Sequence, residues 1–328
     1  MSLLSLLPLV CACAYAFTSG TKGINSWDSW QGATNQTQTL IAAQYVHDYL
    51  LSSGYDLITL DGGWSVSYDG YGRQIPDPKQ YTDFPAMVSA VHALGLRLGV
   101  WTLRGIPVGA VKANLPIANS SYHAADAARA SGDQQCSWDF DNHGILNNAA
   151  GAAYYASVAQ WYKELSIDFV KVDCMVSNQN GLYTDDFTLF SRAMGAVGIE
   201  VSVSPGNSMS AENATYIAEN KLAVMYRISN DFWDEWTDAC PQCYPTGVKS
   251  KLGLMQQYAD LIGWNGAYPD LDMLPMGVIY HDGGSGPPSP THLTQSEQLT
   301  LLSLAYITRA PLIFGGRLPI DVRILSLN

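Results

Sequence analysis

Positive charge is what this sequence has least of: 17 lysines and arginines stand against 29 aspartates and glutamates in 328 residues, a formal net charge of −12. Nucleic-acid binding needs a basic stripe that displaces counterions, and no such stripe is present. An anionic membrane surface is disfavoured for the same reason. A neutral substrate such as a sugar fits this balance better than an acidic polymer does. Several loop signatures are also missing. No Gly-x-Gly-x-x-Gly follows the first candidate strand, and neither Gly-x-x-x-x-Gly-Lys-Ser/Thr nor Gly-x-Ser-x-Gly occurs. Dinucleotide-binding, phosphate-cradling and nucleophile-elbow readings therefore lack their main support. There are no low-complexity tracts or fixed-length repeats, and past the N-terminus no run approaches a transmembrane span.

The first sixteen residues, MSLLSLLPLVCACAYA, form an apolar run ending in Ala14-Tyr15-Ala16. This has the shape of a cleavable secretory signal, although its start carries no basic residue. A mature chain over 17–328 is expected, secreted or delivered to a vacuole or lysosome. Cys11 and Cys13 would leave with the signal, so four cysteines remain, an even count that favours two disulfides in an exported protein. Cys240 and Cys243 are read as a local loop staple, and Cys136 with Cys174 as a long-range bridge. The Cys-x-x-Cys pair offers too few ligands for zinc, and no histidine cluster accompanies it in sequence, so no metal is expected. Asn35, Asn119 and Asn213 head glycosylation sequons.

Apolar residues make up 47% of the chain, and nine Trp and 19 Tyr are available either to fill a core or to stack on sugar faces. Short apolar segments at 24–27, 57–61, 96–102, 168–173, 200–204, 223–227, 269–274 and 311–315 read as strands. Helical patterns at 37–51, 84–94, 152–165, 185–194, 211–219, 248–262 and 295–308 alternate with them. Eight strands alternating with helices predict one domain, a parallel (β/α)₈ barrel. The stretch from Arg104 to Gly144 is too long for an ordinary βα loop and reads as a cover over an active site. Beyond the eighth strand only residues 317–328 remain, barely a last helix, so the barrel is expected to be curtailed there.

In such a barrel the C-terminal strand ends carry the chemistry. Polar residues gather at those ends: Trp27 and Asp28, Asp61, Trp101, Lys171 and Asp173, Ser204, Arg227, Asp270 and Asp272. Lys171 and Asp173 are two apart on one strand and share a face. The lysine would keep the aspartate ionised, as a nucleophile requires, or the two form a buried structural ion pair. Arg227 could grip vicinal hydroxyls with its planar fork. Asp231 precedes Phe232 and Trp233, whose rings would raise its pKa for general-acid duty; the alternative is an ordinary capping aspartate.

Seven segments, in order, carry a recognisable pattern: NSWDSW (Asn25 to Trp30), LDGGW (Leu60 to Trp64), GLRLGVW (Gly95 to Trp101), FVKVDC (Phe169 to Cys174), YRISND (Tyr226 to Asp231), PDLDML (Pro269 to Leu274) and APLIFGG (Ala310 to Gly316). From about residue 23 to 320 the chain resembles glycoside hydrolase family 27, the melibiase-type α-galactosidases and related β-L-arabinopyranosidases. The resemblance implies a retaining exo-glycosidase without cofactor, with Asp173 as nucleophile and Asp231 as acid/base. It places Trp27, Asp61, Trp101, Lys171, Arg227 and Asp272 around the sugar; Ser204, read from its strand end, joins them as a candidate. A catalytically inactive carbohydrate-binding homologue is the alternative, and an aldolase using Lys171 as a Schiff base a distant third. Two departures stand out. The family's usual Asp-Asp pair after the second strand, often followed by cysteine, is Asp61-Gly62-Gly63 here. The C-terminal β-sandwich usual in the family is not expected. The strings at 73–78, 103–106 and 203–206 look closer to the branch that contains the β-L-arabinopyranosidases.

Overall fold

The computed structural model describes residues 20–131, 133, 136, 138–176, 181–204, 209–238, 246–281 and 286–317. Eight strands form the framework: β1 (Lys22–Asn25), β2 (Leu57–Leu60), β3 (Arg97–Leu103), β4 (Phe169–Asp173), β5 (Glu200–Ser204), β6 (Met225–Arg227), β7 (Tyr268–Asp270) and β8 (Leu312–Phe314). All pair in parallel, in the order β7-β6-β5-β4-β3-β2-β1-β8. An isolated parallel bridge between Leu274 and Phe314 brings the two ends of the curled sheet together. The architecture is TIM-barrel-like.

Helices α1 (Gln36–Tyr45), α2 (Phe84–Ala93), α3 (Ala149–Glu164), α4 (Thr184–Ala196), α5 (Ala211–Glu219), α6 (Val248–Met255) and α7 (Gln295–Ile307) fill the connections. Their starts are written locally. Asn35 with Gln38 and Thr294 with Glu297 form reciprocal capping boxes, and Asp83, Asn148 and Ser210 each accept an N3 amide.

Strand alternation sorts the core into two layers. Val170 and Val172 point outward into the main apolar cluster under the helices, with Leu98, Val201 and Val203. Phe169 points inward and meets Leu57, Met225, Met273 and Ile313 in a smaller plug. Above that plug the same inward faces become polar, which places the reactive groups at the strand ends.

Some expected boundaries shift. Trp27 heads a one-turn helix, Trp27–Trp30, instead of ending the first strand, because Ser26 already adopts helical dihedrals. The seventh strand stops at Asp270, since Asp272 has φ of 85° and cannot continue an extended run. Residues 1–16, Cys240, Cys243 and 318–328 lie outside the described residues, and with them the signal, the local staple and the last helix.

The long third connection is structured, pairing Ile106–Pro107 with Asn142–His143. Two ties hold it. The Cys136–Cys174 disulfide attaches it next to Asp173. At its base Arg104 Nη1 binds buried Asp186 at 2.9 Å, and the same carboxylate accepts the Ile145 amide and the Tyr155 hydroxyl. The Arg104 guanidinium also lies 3.9 Å from the Tyr183 ring centroid. Removing one partner of a buried pair strands the other charge. Asp186→Ala is therefore expected to lower stability by about 3–5 kcal/mol, read as a fall in the urea midpoint at unchanged slope.

Candidate active site

At the tip of β2, Asp61 is gripped from three directions. Its Oδ2 accepts Lys171 Nζ at 2.8 Å and Asn25 Nδ2 at 2.6 Å, while Oδ1 accepts the Gly62 amide at 2.8 Å. Burial alone would lower the lysine pKa; the charges of Asp61, Asp272 and Asp173 outweigh it and hold the pKa above its usual value. Lys171 is therefore a charged pillar, which removes the condition a Schiff-base amine requires. Its direct partner is Asp61 instead of the expected Asp173, because Asp61 reaches into the lumen at hydrogen-bond distance.

Asp173, at the end of β4, takes the Trp101 indole N–H on Oδ2 at 3.3 Å and the Cys174 amide on Oδ1 at 2.8 Å. Cys174, the donor of that amide, holds φ of 64°, an unusual conformation for a non-glycine residue. Burial pushes the Asp173 carboxyl up, Arg227 and Lys171 pull it down, and the net displacement is upward. Asp231 adds to the upward push, so each carboxylate lies within the other's field.

Arg227, at the end of β6, organises the opposite side. Nη2 binds Asp231 at 3.0 Å, Nη1 faces Asp272 at 3.5 Å, and Nε donates to the Ser229 carbonyl at 2.9 Å. Two aspartates converge on its fork. The aromatic shield expected around Asp231 does not form: Phe232 turns into the core, and the Asp231 side chain is 57% exposed. Asp272 is buried, accepts the Phe232 amide at 3.0 Å, and is held below the usual carboxylate range; burial opposes this, and Arg227, Lys171 and Lys251 prevail.

Trp27 lies against Gly62, whose Cα would carry a Cβ only 3.1 Å from the indole. Gly63 has φ of 91° and packs on Gly32 so closely that a Cβ would lie 2.4 Å from its Cα. Glycine is thus required where cysteine often stands in the family. Ser204 pairs in register with Asp173 and lines a small lumen cavity, about 20 Å³, with Lys171, Arg227, Asp270 and Asp272. A larger cavity of about 470 Å³ beside α3 shares only Trp101 with this cluster. Among the sequon residues, Asn35 is engaged as a helix cap, Asn119 is exposed and Asn213 is half-buried in the first turn of α5.

Three further residues belong to the site. Lys251 is fully buried on α6; its ammonium reaches Ser229 Oγ at 2.6 Å and the Asn230 carbonyl, and burial lowers its pKa to about 7. Its spacing with Val248 and Met255 on the buried face of α6 was the available signal. Asp28 is buried with neither oxygen partnered among the described residues, and burial, then Asp272 and Asp231, drive it well above the usual carboxylate range. Asp270 is pushed to about 6 by burial and by Asp272.

No family model matches the chain. Among characterised sequences it is similar to alpha-galactosidase 3 of Hypocrea jecorina, 28% identical over 68% of this chain and 36% of that protein. It is also similar to a probable alpha-galactosidase B of Emericella nidulans, 25% identical over 90% and 65% respectively. Thus it spans between about a third and two thirds of the length of these relatives. A GH27 β-L-arabinopyranosidase of Geobacillus stearothermophilus, solved in complex with arabinose, superposes with a TM-score of 0.84 at 29% identity, covering 94% of this chain and 75% of that one. These relatives place the similarity of the chain with glycoside hydrolase family 27. Within this barrel, Asp61, Lys171, Asp173, Arg227 and Asp272 interact directly or through their charges, while Asp231 reaches the same cluster from its open side.

The raised pKa of Asp270 has a consequence for stability. A folded value near 6 lies above the unfolded value of about 3.9, so the folded state binds this proton more tightly. The stabilisation is complete below about pH 4 and is lost as pH climbs through about 6. Asp270→Asn is expected to shrink the loss of stability between pH 4 and 7 by about 3 kcal/mol, checked by urea unfolding across that range. Equal pH slopes in the two proteins would refute the burial argument.

Proposed function

We propose that the chain is a retaining exo-glycosidase that removes terminal β-L-arabinopyranosyl or α-D-galactosyl residues by double displacement. One observation carries the reading: two carboxylates at one barrel mouth, within each other's field, occupy opposite environments. Asp173 is buried and fixed by the Trp101 and Cys174 donors, as an attacking oxygen should be. Asp231 is open to solvent and can exchange protons with a leaving group and with water.

In the first step an Asp173 oxygen attacks the anomeric carbon, and the glycosidic oxygen departs with a proton from Asp231. In the second, Asp231 takes a proton from water, which displaces Asp173 and restores the configuration. Such chemistry requires a carboxyl separation of about 5–5.5 Å. Arg227 stabilises the Asp231 carboxylate between steps.

Sugar preference turns on residue 62. A second carboxylate there would grip the galactose 6-hydroxyl; glycine removes that grip, and the Trp27 ring crowds the space. L-Arabinopyranose lacks the 6-carbon, so the site favours β-L-arabinopyranosides of plant-type polysaccharides and arabinogalactan proteins. The name of the Geobacillus relative supports the same choice. An exported destination is supported by the Cys136–Cys174 disulfide, and among the described residues no helix is long and apolar enough to cross a membrane.

A panel of p-nitrophenyl glycosides tests the reading. Turnover of the β-L-arabinopyranoside is expected, and Asp173→Asn should lower kcat by roughly 10⁴-fold or more with an unchanged circular dichroism spectrum. Asp231→Asn should still glycosylate from the activated aryl substrate but stall before hydrolysis, giving a burst. Gly62→Asp should shift kcat/KM toward the α-galactoside by a charge-assisted bond of about 1.5–3 kcal/mol, less the cost of moving Trp27. Sugar binding without turnover would instead identify a catalytically silent carbohydrate-binding protein.

A further inference from the structure

We propose that Asp234, His281 and His292 form a binding site for a divalent transition-metal ion of the zinc class. The three residues come from two separate segments, so the sequence shows no histidine cluster; the fold makes one. His281 follows the strand Val278–Ile279 of a short hairpin whose other strand is Ser289–Pro290, and His292 lies just past that second strand. Asp234 lies three residues beyond Asp231 in the loop after β6.

The ligand atoms converge. His281 Nδ1 is 3.0 and 2.9 Å from the two Asp234 oxygens, and His292 Nδ1 is 3.2 Å from Oδ2. All three candidate ligand atoms lie within 4.8 Å of one another. Tetrahedral zinc with bonds of about 2.0–2.1 Å separates its ligand atoms by about 3.3 Å, so each His–Asp contact needs to open by only a few tenths of an ångström. The two imidazole rings are stacked, centroids 4.0 Å apart and planes 18° from parallel, so both present Nδ1 to the same carboxylate.

Outer contacts favour ligation. Ser289 Oγ holds His281 Nε2 at 2.7 Å, the type of support that fixes a metal-binding imidazole. The His292 amide donates to Asp234 Oδ2 at 2.5 Å and orients the carboxylate. Asp234 is only 5% exposed, yet no lysine or arginine among the described residues pairs with it. A buried carboxylate calls for a compensating cation, and two imidazoles beside it select a borderline-soft metal over calcium or magnesium. Since the His292 side chain is 68% exposed, an ion has an entry path and a fourth coordination position can be taken by water.

Full-length protein stripped with EDTA and dialysed should take up Zn²⁺ in calorimetric titration at this site, with a matching rise in Tm and no competition from excess Mg²⁺. His292→Ala, at an exposed position, should keep the metal-free Tm and weaken that uptake at least 10-fold. His281→Gln should do the same, and Ser289→Ala more mildly. Absence of Zn²⁺ binding, or an isotherm unchanged in His292→Ala, would overturn the proposal.

Discussion

Everything at the barrel mouth depends on holding too many carboxylates with too few cations. Asp28, Asp61, Asp173, Asp270 and Asp272 are buried around two firm positive charges, Lys171 and Arg227, while Asp231 closes the group from the solvent side. Lys251 adds a third, weaker positive charge, since burial lowers its pKa to about 7. The excess cannot all ionise in a low dielectric. Carboxylates in direct contact with a cation, such as Asp272, stay low, and those without one, Asp28 and Asp270, rise. Asp173 lies between these extremes, raised by burial yet inside the fields of both cations. The acid and base capacities of the site thus follow from who is paired with whom.

Rigid backbone supports this arrangement. Two non-glycine residues adopt positive φ within the cluster, Cys174 beside Asp173 and Asp272 beside Asp270. Each of these residues donates its amide to a carboxylate just before it: Cys174 N–H to Asp173, Asp272 N–H to Asp270. Such conformations cost about 1–3 kcal/mol each and persist because the surroundings fix them. The disulfide from the third connection fixes Cys174, and the Arg227 and Phe232 contacts fix Asp272.

The eight strands were legible because each is a short apolar run ending in a polar residue, a pattern that lumen packing and chemistry impose together. Asp61, Lys171, Asp173 and Arg227 could be named from their strand-end positions. Their partners could not. Lys171 choosing Asp61, and Arg227 spending its fork on Asp231 and Asp272, are decided by distances across the lumen that no local spacing encodes. Trp27 opens a helical turn instead of closing a strand, and that turn at Ser26 has no strong sequence signal. The one sequence signal for a buried Lys251 is its spacing with Val248 and Met255 on one face of the helix.

The loop after β6 gathers these themes. Its first residues are clamped from within the barrel, where Arg227 takes the Ser229 carbonyl and Asp231 together. Lys251 holds Ser229 and Asn230 from the helix side and lies 5.0 Å from the Phe232 ring centroid. Asp272 takes the Phe232 amide, and Asp234 is tied to the hairpin histidines a few residues on. Four anchors within six residues leave one side chain, Asp231, largely in solvent while its backbone is fixed. That combination is what proton delivery to a departing oxygen demands: a mobile proton on a motionless support. Rigidity of this loop, more than the burial of Asp231, sets where that carboxyl stands.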